Sequence, residues 1–348
     1  MTDIDLRHHG DRELAGSPGD RGLLDLAVNV RLPGPPPWLH AILARALDDL
    51  GRYPDPSAAR AAVARRHHRP VEEVLLTAGA AEAFVLIARA HRSRRPVCLH
   101  PSFTEPEASL HAAGTTAHRL LLPPPYRLDG ATVPPESDLV VLGNPTNPTG
   151  VLHDPTAVAF LARPGRLLVV DEAFMDTVPG ERASLAHRRD LPGLLVVRSL
   201  TKTWGLAGLR VGYLLGAADL LVPLAAAQPL WPVSSLALAA LEACSAPIAV
   251  AEAEAAAARL VPCRAAFVAG LAGCPGVRIA AESATSFVLL EVADGPHVRA
   301  RLRALGIAVR RGETFPGLGP DFLRVAIRDD ATNERVLAAL RTVMEARP

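Results

Sequence analysis

Residues 198–213 read RSLTKTWGLAGLRVGY and place Lys202 directly after an apolar run, so the lysine amine is the centre of the interpretation. The preceding LLVV (194–197) is aliphatic and partly β-branched, which is typical of a buried strand. Hydroxyl side chains surround Lys202, and Arg210 follows in the same loop. Such a loop can bind a phosphate while its amine stays free for covalent chemistry. The alternative is a surface loop on which both cations are simply solvated, as most lysines are.

Two further apolar runs end in polar residues, in DLVVLGNPTNPTG (138–150) and RLLVVDEAF (166–174). Aliphatic runs separated by helical stretches predict a parallel sheet, and such sheets bind ligands at the carboxyl ends of their strands. We therefore expect Asn147, Asp171 and Lys202 to converge at one edge of the sheet. For Asp171 alone, a helix cap or a structural hydrogen-bond acceptor is an equally good interpretation.

Small and aromatic residues mark three other candidate positions. VLLTAGAAEAFVLIARA (74–90) predicts a strand, a turn of small residues and a helix that begins near Ala80. The free N–H groups of a first helical turn attract anions, although many such turns bind nothing. Phe103 follows the next predicted strand, where an aromatic side chain can form one face of a slot for a flat ring. The turn GRYPDP (51–56) presents Tyr53, for which packing on a neighbouring helix is the simpler role.

Composition excludes several classes of partner. The 348 residues are 49% hydrophobic and 21% charged, with a formal net charge of +1, which gives no reason to expect a nucleic acid or an anionic membrane. We see no run of the ~20 apolar residues that a membrane helix needs, so we expect a soluble, cytoplasmic protein. The four cysteines contain no C-x-x-C pair, so neither a disulfide framework nor a metal site is expected.

The order of the patterns predicts an α/β protein in three parts. Residues 1–35 form an N-terminal arm, which includes a strand-like run at 23–30 and ends in a proline-rich linker. Residues 36–245 form a large domain with a mainly parallel central sheet. Residues 246–348 follow a β-α-β-β-α order, which describes a small α+β domain packed on the first.

Six motifs occur in order along nearly the whole chain: RYPDP, GAAEA, NPTNPTG, VVDEAF, RSLTKTWGLAGLRVGY and FLRVAIR. Together they resemble the fold-type I pyridoxal-phosphate (PLP) enzymes, in the subgroup of histidinol-phosphate aminotransferase and threonine-phosphate decarboxylase. Each motif alone is unspecific, whereas all six at suitable spacings are very specific. The resemblance implies PLP as the cofactor and a homodimer with shared active sites.

The resemblance also implies roles for individual residues. Lys202 binds the cofactor covalently and later moves the substrate proton, while Asp171 pairs with the ring nitrogen and keeps the ring an electron sink. Asn147 resembles the donor to the phenolic oxygen of the ring, beside the substrate. Arg324 resembles the clamp for the substrate carboxylate, a task suited to a planar guanidinium. The remaining cofactor-binding residues are the stacking Phe103, the phosphate ligands Ala80, Ala81, Ser199, Thr201 and Arg210, and Tyr53, which reaches the phosphate of the neighbouring subunit.

One residue departs from the family pattern, and others resemble one branch of it. Phe174 stands where the family often has a tyrosine that bonds the phenolic oxygen, so Asn147 makes that contact alone. The motifs DEAF, RSLTK and an early HHG resemble the decarboxylase branch, and on that similarity His9 and Arg310 bind a substrate phosphate. The alternatives are a disordered N-terminal histidine for His9 and a solvated surface charge for Arg310.

We therefore expect a PLP-dependent lyase that decarboxylates a phosphorylated amino acid, most like L-threonine O-3-phosphate. Its product would be (R)-1-amino-2-propanol O-2-phosphate for cobalamin biosynthesis. The same machinery breaks whichever bond of the α-carbon lies perpendicular to the ring, so a histidinol-phosphate-type aminotransferase using 2-oxoglutarate and glutamate is the alternative. A PLP-sensing regulator is a third interpretation, but no basic helix-turn-helix segment precedes Arg31.

Overall fold

A computed structural model of the chain describes residues 5–14 and 22–346. Its strands are β1 Leu24–Asp25, β2 Val74–Thr77, β3 Pro96–His100, β4 His118–Leu121, β5 Leu139–Gly143, β6 Leu167–Asp171, β7 Leu194–Ser199, β8 Gly212–Gly216, β9 Val277–Ile279, β10 Phe287–Val292, β11 Ile307–Ala308, β12 Arg310–Arg311 and β13 Phe322–Ala326. Its helices are α1 Pro37–Ala46, α2 Ser57–Arg66, α3 Ala80–His91, α4 Glu105–Ala112, α5 Pro155–Ala159, α6 Ala218–Ala226, α7 Ser235–Cys244, α8 Pro247–Ala272, α9 Gly295–Ala304 and α10 Asp330–Glu345.

The central sheet has seven strands in the order β2-β8-β7-β6-β5-β3-β4. The strands from β7 to β4 run parallel, while β8 is antiparallel to both β2 and β7. Side chains of β6 alternate between two apolar clusters: Leu168 and Val170 belong to one, Val169 to the other. Because both faces are covered, the inner strands β5 and β6 are almost entirely aliphatic. The prediction of a mainly parallel central sheet is confirmed.

A second, smaller sheet lies in the C-terminal part of the chain. It is antiparallel, with the order β12-β13-β10-β9. Apolar side chains of β10 and β13 pack with those of α9, α10 and the end of α8. Arg310 on β12 lies directly opposite Arg324 on β13 in the strand register. The fold class is therefore α/β with a small α+β part, as predicted.

The N-terminal segment is tied to this second sheet. β1 pairs in parallel with β11, and Leu26 N donates to Ala308 O at 2.9 Å while Leu26 O accepts from Ala326 N at 3.0 Å. Only two residues of the strand-like run 23–30 form a strand. Residues 1–4 and 15–21 of the predicted arm lie outside the described residues, and the boundaries after residues 35 and 245 stay predictions.

Helix α8 differs from the expectation about membrane spans. It is 26 residues long and its most apolar window has a mean hydropathy of 1.4, with 17% of that window buried. By length and composition alone it could cross a membrane, so the statement that no such run exists was wrong. Glu252, Glu254 and Arg259 interrupt the apolar residues of this helix, which is why the run looked too polar. One helix of this kind is weak evidence for a span, and α8 packs on β9 and α10.

Candidate active site

A cavity of about 490 Å³ lies where the carboxyl ends of β6 and β7 face the second sheet. All but one of the residues singled out in the sequence line it: His9, Ala80, Ala81, Phe103, Asn147, Asp171, Phe174, Ser199, Thr201, Lys202, Arg210, Arg310 and Arg324. The exception is Tyr53. A larger cavity of about 870 Å³, beside α2 and the start of α8, contains none of these residues. We assign the candidate active site to the smaller cavity because the chemically useful groups converge there.

The pKa of Lys202 is lowered in this cavity and that of Asp171 is raised. Burial, together with the positive charges of Arg324 and Arg210, lowers the pKa of Lys202 to about 8. Burial raises the pKa of Asp171 to about 6, although the Ala173 N–H donates to its carboxylate at 3.0 Å. The lysine therefore has a sizeable neutral fraction near neutral pH and can act as a nucleophile or base. The positive charge of Lys202 favours the ionised carboxylate, and a protonated ring nitrogen beside it would favour that form further.

One end of the cavity is suited to a phosphate. Helix α3 begins at Ala80 with its free N–H groups, and the Ser199 and Thr201 hydroxyls lie 2.8 Å apart nearby. Gly79 has a φ of +81°, and a Cβ there would lie only 2.9 Å from Nη2 of Arg210. Glycine at this position lets the guanidinium approach the start of the helix. Backbone donors, hydroxyls and one arginine form the set that binds phosphate groups.

Two phenylalanines border the middle of the cavity. The Phe103 ring lies 5.3 Å from the imidazole of His9, measured between ring centroids. Phe174 is buried and packs edge-on against Phe287 at 5.0 Å. Phe174 offers no hydrogen-bonding group, while the Oδ1 atom of Asn147 accepts from Nη1 of Arg324. Two aromatic side chains and one amide that line the same cavity suit a flat ring with a polar substituent.

The two arginines predicted to bind substrate enter the cavity together. Arg310 and Arg324 are 2% and 5% exposed, and each guanidinium lies over a phenylalanine ring, at 5.0 Å for Phe315 and 5.3 Å for Phe287. Opposed residues on antiparallel strands have Cα atoms about 5 Å apart, so both side chains share one face of the sheet. Burial lowers the pKa of both groups, that of Arg310 to about 10. Buried guanidinium groups of this kind strongly favour an anionic ligand.

Glu13 is a partner of Arg310 that the sequence did not reveal. Its carboxylate is 3% exposed and accepts from Arg311 at 2.8 Å, Arg299 at 3.0 Å and Arg310 at 3.3 Å. The carbonyl of His8 accepts from Arg310 at 2.6 Å. Arg310 is thus a buried, held group, and its interpretation as a solvated surface charge is wrong. Three arginines on one carboxylate leave a surplus of positive charge beside the cavity.

Tyr53 lies away from the cavity of its own chain. Its side chain is 75% exposed and stacks on Trp231, with ring centroids 4.0 Å apart and planes 18° from parallel. Packing on a helix, the simpler role considered above, is not what the structure shows. An exposed aromatic hydroxyl is available to another subunit, and that role stays a prediction.

The sequence interpretation missed Asn29, which lines the cavity beside Ala27 and Val28. This residue is 4% exposed, and neither polar atom of its side chain has a hydrogen-bond partner among the residues that the structure describes. The available signal was the single amide at the end of the apolar run 23–30. It was overlooked because that run was assigned to the arm.

Comparison with known proteins assigns the family. Residues 21–340 match the family model described as aminotransferase class I and II. The chain belongs to the class I and II aminotransferase family. It is 51% identical to a histidinol-phosphate aminotransferase of Mycobacterium bovis, over 93% of this chain and 87% of that protein. It is 32% identical to the threonine-phosphate decarboxylase of Salmonella typhimurium, over 92% of this chain and 91% of that protein.

Comparison with a solved structure confirms the fold. The L-threonine-O-3-phosphate decarboxylase from Porphyromonas gingivalis superposes with a TM-score of 0.84 at 25% identity, over 92% of this chain and 99% of that one. The cofactor of the family is PLP, and the cavity fits it: a lysine, a buried carboxylate, an aromatic wall and a phosphate-binding end lie in one volume.

The expected decarboxylase reaction is corrected by these comparisons. Identity to a histidinol-phosphate aminotransferase is 51%, whereas identity to a threonine-phosphate decarboxylase is 32%, over nearly equal shares of the chain. The main prediction of threonine-phosphate decarboxylation is therefore wrong, and the stated alternative is better supported. DEAF, RSLTK and HHG misled the interpretation because short motifs carry less information than identity over more than nine tenths of the chain.

Proposed function

We propose that this aminotransferase is of the histidinol-phosphate type and moves an amino group between a phosphorylated amino alcohol and 2-oxoglutarate. The 51% identity to a histidinol-phosphate aminotransferase over 93% of the chain carries the proposal. The two buried arginines that line the cavity with Lys202 support it, because both partners of this reaction are anions. We further propose that the enzyme is a cytoplasmic homodimer.

The residues that line the cavity have separate roles in the proposed reaction. When bound, PLP supplies an aldehyde that condenses with amines and a ring that withdraws electrons from the α-carbon. Asp171 holds positive charge at the ring nitrogen, and its own ionisation is favoured by that contact. With PLP bound, the Nζ atom of neutral Lys202 would accept the proton from the α-carbon of the substrate. Arg324 and Arg310 orient the anionic groups, while Phe103 and Phe174 exclude water from the ring faces.

Product analysis tests the proposal directly. The PLP-loaded protein is incubated with histidinol phosphate and 2-oxoglutarate, and separately with threonine phosphate, while glutamate and CO2 are measured. We expect glutamate in the first mixture and no CO2 above background in the second. CO2 release from threonine phosphate without glutamate formation would contradict the proposal.

Arginine substitutions should separate the two anion contacts. Arg310→Ala is expected to weaken histidinol phosphate about tenfold or more while leaving histidine nearly unchanged, since a charge-assisted contact contributes roughly 1.5 to 3 kcal/mol. Arg324→Ala should weaken both, because histidine carries a carboxylate where histidinol phosphate carries its phosphate. KM values for the two amino donors are the measurement. Arg311→Ala is the matched control, since Arg311 contacts Glu13 without lining the cavity.

A mixing experiment tests the predicted role of Tyr53 in the neighbouring subunit. Lys202→Ala chains and Tyr53→Ala chains are each expected to be inactive. After subunit exchange, random pairing should restore about a quarter of the sites, because half of the dimers are mixed and each mixed dimer has one intact site. Activity is measured against the ratio of the two chains. No recovery after verified exchange would show that sites are not shared.

A further inference from the structure

The loop that carries Lys202 is held from behind the active-site cavity by its next residue, Thr203. Lys202 lines that cavity, whereas Thr203 does not. Thr203 is 3% exposed, and its Oγ1 atom donates to Oδ2 of Asp176. Asp176 lines instead the larger cavity beside α2 and the start of α8. The amine and the hydroxyl of two adjacent residues therefore lie on different sides of the loop.

The carboxylate of Asp176 makes one contact, and that contact is with this loop. Among the residues that the structure describes, Thr203 is its only hydrogen-bond donor, since the buried Oδ1 atom has no partner. Burial raises the pKa of Asp176, while the Thr203 hydroxyl and the positive charge of Arg198 oppose this shift. A buried carboxylate oxygen without a donor costs stability, so stability does not explain an acid at this position.

Asp176 belongs to a turn that is itself firmly held. The turn Met175–Thr177 directly follows Phe174, which lines the active-site cavity, and it packs on α8. Met175 is fully buried, and Oγ1 of Thr177 donates to the carbonyl of Phe174 at 2.7 Å. The carboxylate is thus a fixed point against which a loop can be placed.

The backbone on either side of the Lys202–Thr203 peptide bond has further contacts. Arg31 N donates to the carbonyl of Lys202 at 2.9 Å, and Arg31 Nε donates to the carbonyl of Thr203 at 3.2 Å. These bonds hold the carbonyl groups, and the bond to Asp176 holds the side chain. Because the amine of Lys202 lies at the end of a long side chain, a small rotation of this backbone becomes a larger displacement of Nζ.

We propose that Asp176 is a positioning residue for the amine of Lys202. Its carboxylate holds the Thr203 hydroxyl and so fixes the backbone from which Lys202 reaches the cofactor. Neither residue contacts the cofactor or the substrate in this arrangement, since both act through the position of Lys202. The inference concerns the lysine that binds PLP and does not depend on which substrates the enzyme uses.

Covalent attachment of PLP measures the position of the amine directly. In this step Nζ of Lys202 attacks the aldehyde carbon of PLP, and water leaves as the new C=N bond forms. The cofactor-free, full-length chain is mixed with PLP, and the absorbance change of the cofactor gives the rate. We expect attachment in Thr203→Val to be about tenfold or more slower than in wild type, since a misplacement of ~1 Å can cost about 10²-fold. An unchanged rate would overturn the proposal.

Pyridoxamine phosphate separates misplacement of the lysine from damage to the cavity. This compound has the ring and the phosphate of PLP but an amine in place of the aldehyde, so it binds without joining Lys202. Thr203→Val should bind it with the wild-type dissociation constant in a calorimetric titration. Affinity that falls by the same factor as the attachment rate would show general damage to the cavity and contradict a positioning role.

A double-mutant cycle tests whether Asp176 and Thr203 act through their shared bond. Asp176→Ala removes the acceptor and should slow attachment as Thr203→Val does, so the test does not depend on the folding of one variant. Combining both substitutions should slow attachment no further, because the bond is already lost in each single variant. Effects that multiply would mean that the two residues act separately, which would rule out the proposed pair.

Two further variants check that the hydroxyl contact itself is what matters. Thr203→Ser keeps the hydroxyl and should attach PLP at close to the wild-type rate, and a rate as low as that of Thr203→Val would contradict the proposal. Ser93→Ala is the matched control, since Oγ of Ser93 also donates to a carboxylate, that of Asp138, and neither residue lines the active-site cavity.

Ser93→Ala should lower the unfolding temperature through its lost hydrogen bond and leave the attachment rate unchanged. Equally slow attachment in this variant would assign the effect to lost stability and count against the proposal. None of these measurements involves turnover, so a failure of the proposed reaction is seen in the product assay alone.

Discussion

Replacing Lys202 by alanine is expected to abolish turnover, with a loss of at least about 10⁴-fold. That figure is the upper end of what a positioned acid or base contributes, and the covalent link to the cofactor is lost as well. With a pKa of about 8, part of the Lys202 amine is neutral near pH 7. The neutral amine can both bind the cofactor covalently and accept a proton. Steady-state turnover of the PLP-loaded variant is the measurement.

The identity of the reactive amine is checked by labelling. Borohydride reduction of the PLP-loaded wild type should attach the cofactor to the peptide that contains Lys202, as read by mass spectrometry. Lys202→Arg is the matched control, because it keeps a positive charge but cannot lose its proton at accessible pH. This variant should be unlabelled and as inactive as the alanine variant. A label on any other residue would sink the site assignment.

Replacing Asp171 by asparagine is expected to reduce turnover by about 10² to 10³-fold, which is typical for loss of one preorganised electrostatic contact. The asparagine has nearly the same shape but cannot hold positive charge at the ring nitrogen. Turnover and the unfolding temperature of the cofactor-free protein are both measured. Near-normal turnover would show that Asp171 is structural, as a helix cap would be.

The stability of the Asp171→Asn variant should depend on pH in a defined direction. Burial raises the pKa of Asp171 to about 6 from an ordinary 3.8, so the folded protein holds this proton more tightly than the unfolded chain. The group therefore favours folding below pH 4, and this contribution is lost as the pH rises through 6. The asparagine variant should gain stability relative to wild type at pH 7 and less at pH 4.

Asp138 is a control because its pKa is lowered in the folded protein, whereas that of Asp171 is raised. Its carboxylate accepts from the N–H groups of Arg94 at 2.7 Å and Arg95 at 3.0 Å. Burial acts to raise its pKa, but these bonds and one from Ser93 outweigh it and lower the pKa. Asp138→Asn should lower the unfolding temperature at pH 7 and leave turnover unchanged, because Asp138 lies outside the cavity walls.

Much of the active site follows from the sequence because it depends on local patterns. Aliphatic runs set the strands, and parallel strands end at one edge, so Asn147, Asp171 and Lys202 line one cavity as expected. Arg310 and Arg324, which were both predicted to bind substrate, lie opposite each other in the strand register and line the same cavity. Six short motifs in order were enough to assign the cofactor and the family.

The tertiary structure decided what local patterns do not encode. Glu13 accepts a hydrogen bond from Arg310, which is nearly 300 positions away in the chain. Contacts of this kind depend on where the chain folds back, so no sequence window contains both partners. The choice between breaking the C–H and the C–C bond was likewise beyond the motifs, since it depends on the orientation of the substrate in a cavity that both reactions share. The sequence by itself therefore determined the cofactor, the family and the main residues of the cavity. Only long-range packing determined which further groups surround the substrate.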